Sequence, residues 1–334
     1  MTWSGARRAV VVRHLFLAVI SAAPLAAQHS RAVSGRVVVQ RGPLAQPLAG
    51  QYVTLHRVGS DTAGAIDSVR SDARGRYRFA FQPFGAEGAV YFAAVVFGGV
   101  AYFTAPLGAA QTEGENAEIT VFDTASVGVD IGVRGRHLAI SAPNAAGSRA
   151  VVDVFELGND SMRTLVQGRD AGGTAQPTWR IPLPEGALNP AVMRDAGDIA
   201  AAAVIVRDGQ AAVYAPFAPG IKQLALRYEI AAGRDSLTIP LIEATGVLEV
   251  LLEEGTGRVS GAGLAAQGPV SVEGRRLHRF LAQDAPATSV LAITLPRAAS
   301  ASGSRTIWLV VGAAVVAAVI SGMLLMRARK PVAA

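Results

Sequence analysis

Ser71-Asp72-Ala73-Arg74-Gly75-Arg76-Tyr77-Arg78-Phe79 joins a turn to an alternating run. Asp72 and Gly75 are turn residues, since a short carboxylate bonds nearby backbone and glycine accepts a positive φ. Beyond the turn, Tyr77, Phe79 and Phe81 alternate with Arg76, Arg78 and Ala80. A period of two predicts a half-buried β-strand with an aromatic face.

Runs of the same kind lie on either side. Residues 66–71 lead into the turn and 76–82 return from it. Residues 51–58 place Val53 and Leu55 on one face, and 32–40 precede them across a Gly/Pro loop at 41–50. Downstream, residues 90–103 (VYFAAVVFGGVAYF) form the clearest hairpin signal, because Gly98-Gly99 suits both central positions of a primed turn. Its strands are apolar on both faces, so one face is expected to meet a neighbouring domain or partner instead of water. A buried central hairpin is the main expectation. An aromatic binding patch, with Tyr91 and Tyr102 as ligand contacts, is the alternative. Residues 118–123 close the unit, and the strand spacing is that of an all-β sandwich.

Val33-Ser34-Gly35-Arg36-Val37, Gly50-Gln51-Tyr52-Val53-Thr54-Leu55 and the opening nonapeptide together resemble the carboxypeptidase regulatory-like domain family. That family's pattern is a GxV opening strand, a V-x-L second strand and a G-x-Y-x-F return strand. The resemblance covers residues 31–123. It implies a transthyretin-like seven-stranded sandwich, grouped with carbohydrate-binding-like folds and accessory rather than catalytic. The matching residues are turn and core positions, so they name no ligand.

From residue 125 the β pattern continues. Val151, Phe155 and Leu157 share a face, and Asp208-Gly209 marks a second primed hairpin. Residues 223–230 are the cleanest amphipathic strand, with Leu224, Leu226, Tyr228 and Ile230 inward. Residues 125–296 are therefore read as a second β-sandwich region. An internal boundary near 235 stays open.

The two ends of the chain speak to location. Residues 307–326 carry no charge and no proline, and as one helix would cover a ~30 Å hydrocarbon core. Arg327, Arg329 and Lys330 follow at once, as expected on the cytoplasmic side, in a tail of residues 327–334. Residues 1–27 read as a secretory signal peptide with a basic start, a short apolar run and Ala27 before the cut. The small-residue linker, 297–305, would hold the ectodomain close to its membrane. The expectation is a single-pass cell-membrane protein with an N-terminal periplasmic or extracellular ectodomain. Ala314, Ala318 and Gly322 form a small-residue seam through which the helix is able to homodimerise.

The formal charge of +6 does not imply nucleic acid. Seven of the 31 basic residues lie in the leader or beside the span, leaving 24 against all 25 acidic ones between them. No basic stripe is left to neutralise phosphates. Only two lysines, among abundant arginine and alanine, suggest a GC-rich bacterial genome. With no cysteine, thiolate metal sites and disulfides are excluded, and the ectodomain must rely on core burial and backbone ladders.

Screens for chemistry are negative. There is no Gly-x-Ser-x-Gly elbow, no P-loop and no His-Glu-x-x-His. His56, His137 and His278 have no partner at metal-ligand spacing and read as surface or half-buried residues. Neither a cofactor nor a metal is expected. Trp179 is the one tryptophan outside the leader and the span, and is either a sugar-stacking contact or sandwich core. The fold class expected is all-β, two or three β-sandwich units in tandem followed by one C-terminal transmembrane α-helix. The function expected is noncatalytic binding or assembly at the cell envelope, with another envelope protein as partner. Carbohydrate binding is the alternative, and an unrecognised hydrolase the second.

Overall fold

In the computed structural model, which describes residues 30–296 apart from Glu273, Asp72 organises the turn that the sequence marks. Its Oδ1 accepts the backbone N–H groups of Arg74 and Arg76 at 2.8 Å, and its Oδ2 accepts Arg76 Nε at 2.9 Å. The Arg76 N–H bond leads in holding the Asp72 carboxyl below its ordinary pKa. Gly75 adopts a φ of 74°, as the turn requires.

Eight strands follow one another around this turn. They are β1 (Arg31–Gln40), β2 (Ala45–Pro47), β3 (Tyr52–Val58) and β4 (Ala63–Arg70). Then come β5 (Arg76–Phe81), β6 (Val90–Phe97), β7 (Val100–Phe103) and β8 (Gln111–Phe122). One sheet centres on β1, which pairs antiparallel with β2 and β5 and parallel with β8. The other has the order β4-β3-β6-β7. The return expected from 66–71 to 76–82 is thus no hairpin. β4 pairs with β3 and β5 with β1, so the turn carries the chain from one sheet to the other.

The two sheets close on Val33, Val37, Val53, Leu55, Phe79, Val95 and their neighbours. Gly35 explains the pairing of the first and third motifs. It lies opposite Tyr77, and a Cβ there would sit 2.0 Å from Ala117 O and 2.7 Å from the Tyr77 ring. The missing side chain lets the ring lie across β1, where Tyr77 Oη donates to Ala117 O at 2.6 Å. Burial pushes that phenol well above its ordinary pKa.

The second half begins with β9 (Thr124–Ala125), β10 (Ile131–Ile140), β11 (Arg149–Asn159), β12 (Thr164–Leu165) and β13 (Trp179–Pro182). It continues through β14 (Ala187–Gly197), β15 (Val204–Arg207), β16 (Gln210–Val213) and β17 (Gly220–Ile230). Next are β18 (Ser236–Pro240), β19 (Thr245–Leu252), β20 (Arg258–Ser260) and β21 (Ala265–Ala266). The last are β22 (Val270–Val272), β23 (Arg275–Ala285) and β24 (Val290–Thr294). One sheet runs β14-β17-β11-β10-β19-β23-β21, with β22 also on β23. Residue 235 falls between β17 and β18, yet the sheet continues past it because β10 pairs parallel with β19.

Two small sheets cover the same face of this long one. The β13-β16-β15 sheet packs Trp179, Ile181 and Val213 on Phe155, Leu157, Leu224 and Leu226. The β18-β24-β20 sheet packs Leu237, Ile239, Leu291 and Ile293 on Leu138, Val151, Tyr228 and Val250. Arg136 and Asp153 sit at the seam between the two clusters. Their two bonds measure 3.0 and 2.7 Å, both side chains are buried, and the guanidinium lies 4.7 Å from the Phe155 ring centroid.

The first sandwich abuts the second half at β9, which pairs with β12. Tyr102 Oη lies 2.7 Å from Thr164 Oγ1 and 3.2 Å from Phe122 O, closing that joint. The expected leader (1–27), linker (297–305), span (307–326) and tail (327–334) lie outside the described residues. Among the described residues no helix is long and apolar enough to cross a membrane.

Removing one partner of a buried ion pair strands the other charge. Asp153→Ala should therefore lower unfolding stability by about 3–5 kcal/mol in urea titration. Arg136→Met with Asp153→Leu should recover most of that loss. A single variant within ~0.5 kcal/mol of wild type, the usual range for a neutral surface change, would contradict the seam's role.

Candidate binding face

β6 is apolar at every position, and a pleated strand turns alternate side chains to opposite sides. Register with β3 decides which side is which. Tyr91, Ala93 and Val95 point into the sandwich, so Phe92, Ala94 and Val96 face out, and Phe103 on β7 joins them. β3 contributes Tyr52, Thr54 and His56 to the same outer surface. Tyr52, Val96 and Phe103 are 60%, 66% and 57% exposed, although each is a large apolar residue in regular sheet. Gly98 and Gly99 both take positive φ, 58° and 79°, as the predicted primed turn needs.

The rings on this face are ordered by one another. His56 stacks on Phe92 with centroids 5.3 Å apart and planes within 8°, and Phe92 meets Phe103 edge-on at 5.6 Å. Tyr52 and Arg70 are cross-strand partners. The Arg70 guanidinium lies 4.1 Å from the Tyr52 ring centroid and donates to Tyr52 Oη at 2.8 Å. Thr54 and Ala94, which face each other across the strands, are short. They floor a cup of about 350 Å³ walled by Gln51, Tyr52, His56, Arg70 and Val96. Arg70 also borders a cleft of about 770 Å³ at the sandwich edge, with Arg36, Arg76, Arg78, Asp72 and Glu118.

The three aromatic residues singled out from sequence lie elsewhere. Tyr91 is buried, and its Oη accepts Phe84 N–H at 2.9 Å and contacts Phe84 O at 3.2 Å. Tyr102 belongs to the joint with β12 described above, and Trp179 is core, edge-on to Phe155 at 5.4 Å. None of the three presents its ring to solvent. The signal for the outer face was the same hairpin's apolarity on both sides. Which side points in depends on β3, whose His56 pairs with Phe92, 36 residues further on.

His137 departs from the surface or half-buried expectation. Strand pairing brings Glu249, 112 residues on, to 2.7 Å from its Nδ1, while Glu156 Oε1 lies 3.9 Å from its Nε2. His137 and Glu249 are each 1% exposed. Arg279 Nε reaches the other Glu249 oxygen at 2.6 Å. Nε2 has no hydrogen-bond partner, and Gly135 leaves room beside it, since a Cβ there would fall 3.1 Å from that nitrogen. No hydroxyl is among the partners of His137, so a Ser-His-acid arrangement is not assembled there. Among the described residues no group of three or more His, Cys, Asp or Glu side chains suits a metal ion. Asn159, first residue of a formal glycosylation sequon, is buried and donates to Arg163 O and Phe217 O at 2.8 Å.

No family model matches the chain, and no curated protein matches it. Among solved structures it is similar to an M1 zinc metallopeptidase mutant from Deinococcus radiodurans bound to a Tyr-Ser-Ala substrate. That likeness has 13% identity and a TM-score of 0.31, over 49% of this chain and 42% of the other. A two-domain M1 zinc metallopeptidase mutant bound to L-tryptophan gives 13% identity and a TM-score of 0.29, with the same coverage. The chain spans less than half the length of these proteins, and likeness at this level carries no argument about activity.

The two carboxylates beside His137 oppose each other in pH behaviour. Burial works to raise Glu249, but the hydrogen bond and charge of His137 and then Arg279 outweigh it and hold its pKa below the ordinary value. Burial dominates for Glu156 and raises its pKa. A depressed carboxyl contributes stability above its unfolded pKa that is lost as pH falls through the folded one; a raised carboxyl does the reverse. In urea unfolding at pH 8, Glu249→Gln should lower the midpoint and Glu156→Gln should leave it unchanged or raise it. Towards pH 4 both differences should shrink. The opposite order at pH 8 would contradict this electrostatic account.

Proposed function

We propose that this is a membrane-anchored, extracytoplasmic, noncatalytic binding or assembly protein of the cell envelope. Tandem β-sandwiches, the first resembling a carboxypeptidase regulatory-like domain, would be held at the membrane surface by the apolar run at 307–326. The signal-like leader, the basic cluster after the span and the short linker support this placement. The Gly35–Tyr77 pairing and the two facing sheets agree with a transthyretin-like sandwich at 31–123.

The observation that carries the binding role is the exposed ring-lined outer face of the β4-β3-β6-β7 sheet. Contiguous apolar surface on an otherwise satisfied sheet marks an interaction site. Another envelope protein is the first partner for it. Carbohydrate is the second reading, favoured by the cup, whose lining combines Tyr52 and His56 with the polar residues Thr54 and Gln51.

Crosslinking and pull-down of the anchored protein from its own membrane test the proposal. The protein should stay in the membrane fraction after alkaline extraction and recover a defined partner. Val96→Glu with Phe103→Glu should reduce that recovery at least tenfold without changing the melting temperature. Equal recovery by this variant would overturn the assignment of the face, and release by alkali would overturn the anchor.

A further inference from the structure

We infer that the cup on the outer face of the first sandwich is a subsite for a uronate, a sugar ring bearing a carboxylate, within an acidic polysaccharide. This rests on the second, carbohydrate reading of that face and names the class of sugar.

Within that face the cup has the dimensions of a small-molecule site. Small clefts that hold ligands span about 300–1,000 Å³, and the cup, at about 350 Å³, lies at the single-ring end of that range. Its floor is kept low by the facing pair Thr54 and Ala94. Tyr52 and His56 stand as walls, and the rigid stack of His56 on Phe92 fixes the second ring. A pyranose offers an apolar C–H face and a rim of hydroxyls. The first suits an aromatic ring, and the second suits Thr54, Gln51 and His56.

Charge decides between a neutral and an acidic sugar. A guanidinium has five N–H donors. Arg70 uses one on Tyr52 Oη at 2.8 Å, and NH1 meets Gly50 O only at the 3.5 Å limit. Among the described residues no carboxylate pairs with it, although Arg36 and Arg76 nearby are each paired, with Glu118 and Asp72. The Tyr52 ring holds the guanidinium beside the cup without neutralising it. A planar cation held at the rim of a ring-sized site recognises a carboxylate through paired N–H bonds.

Isothermal titration of the full-length protein in detergent micelles tests this with oligogalacturonates, their fully methyl-esterified forms and dextran oligomers. The acid form should bind at least tenfold more tightly than the ester, and dextran should bind no better than the ester. Tyr52→Ala and Arg70→Ala should each weaken acid binding at least tenfold, and Arg70→Ala should abolish the preference for acid over ester. Leu188→Ser, at an exposed site on β14, should bind as wild type does. Equal binding of acid and ester would overturn carboxylate recognition, and acid binding unaffected by Tyr52→Ala and Arg70→Ala would overturn the site. If no oligosaccharide binds while Val96→Glu with Phe103→Glu still loses the membrane partner, the uronate inference fails and the proposed function stands. If that variant also keeps its partner, both fail.

Discussion

Strand β10 has an antiparallel neighbour on one side and a parallel one on the other, and the second half of the protein depends on that junction. Because β19 continues the sheet instead of starting a new one, two separate small sheets must share one long partner. Their apolar clusters meet at Arg136 and Asp153, a charged pair buried where continuous hydrophobic packing would otherwise run. A chain without cysteine has no covalent tie to fix this arrangement. Register is fixed instead by ladders and by polar groups that bond only when strands align. The pair thus ties β10 to β11 in one register, as His137 with Glu249 ties β10 to β19 on the opposite face.

The first sandwich follows the same logic with different residues. Gly35 and Tyr77 lock β1 to β5, and Tyr102 with Thr164 joins the sandwich to the second half. Once these inward positions are assigned, the period of two leaves Tyr52, Phe92, Val96 and Phe103 on the outside. An edge-on cluster of rings on an open sheet face is costly in water, and nothing in core packing requires Phe92 or Phe103 to be aromatic. That exposure is why the proposed binding role is placed on that face.

Local signals were readable from sequence. Gly98-Gly99 and Asp208-Gly209 both adopt the positive φ values that primed turns need, because turn chemistry is contained in adjacent residues. The alternation of Tyr77 and Phe79 and of Leu224 through Ile230 gave the correct inward faces, since charged residues occupied the other side. Where both sides of a strand were apolar, alternation lost its meaning. The hairpin at 90–103 therefore offered Tyr91 and Tyr102 as readily as Phe92 and Phe103, and only pairing with β3 separates them. The parallel β10–β19 pairing and the contact of His137 with Glu249 join residues over a hundred apart, for which no spacing rule exists.

The central claim is that this outer face, rather than any other exposed surface, meets the partner. Photocrosslinking in intact cells tests it most directly, with a photoreactive amino acid placed at Val96 or, separately, at Leu188, both exposed apolar positions. The account predicts a discrete adduct to envelope material from position 96 and none from position 188. Adducts of equal yield from both positions, or from position 188 alone, would contradict it.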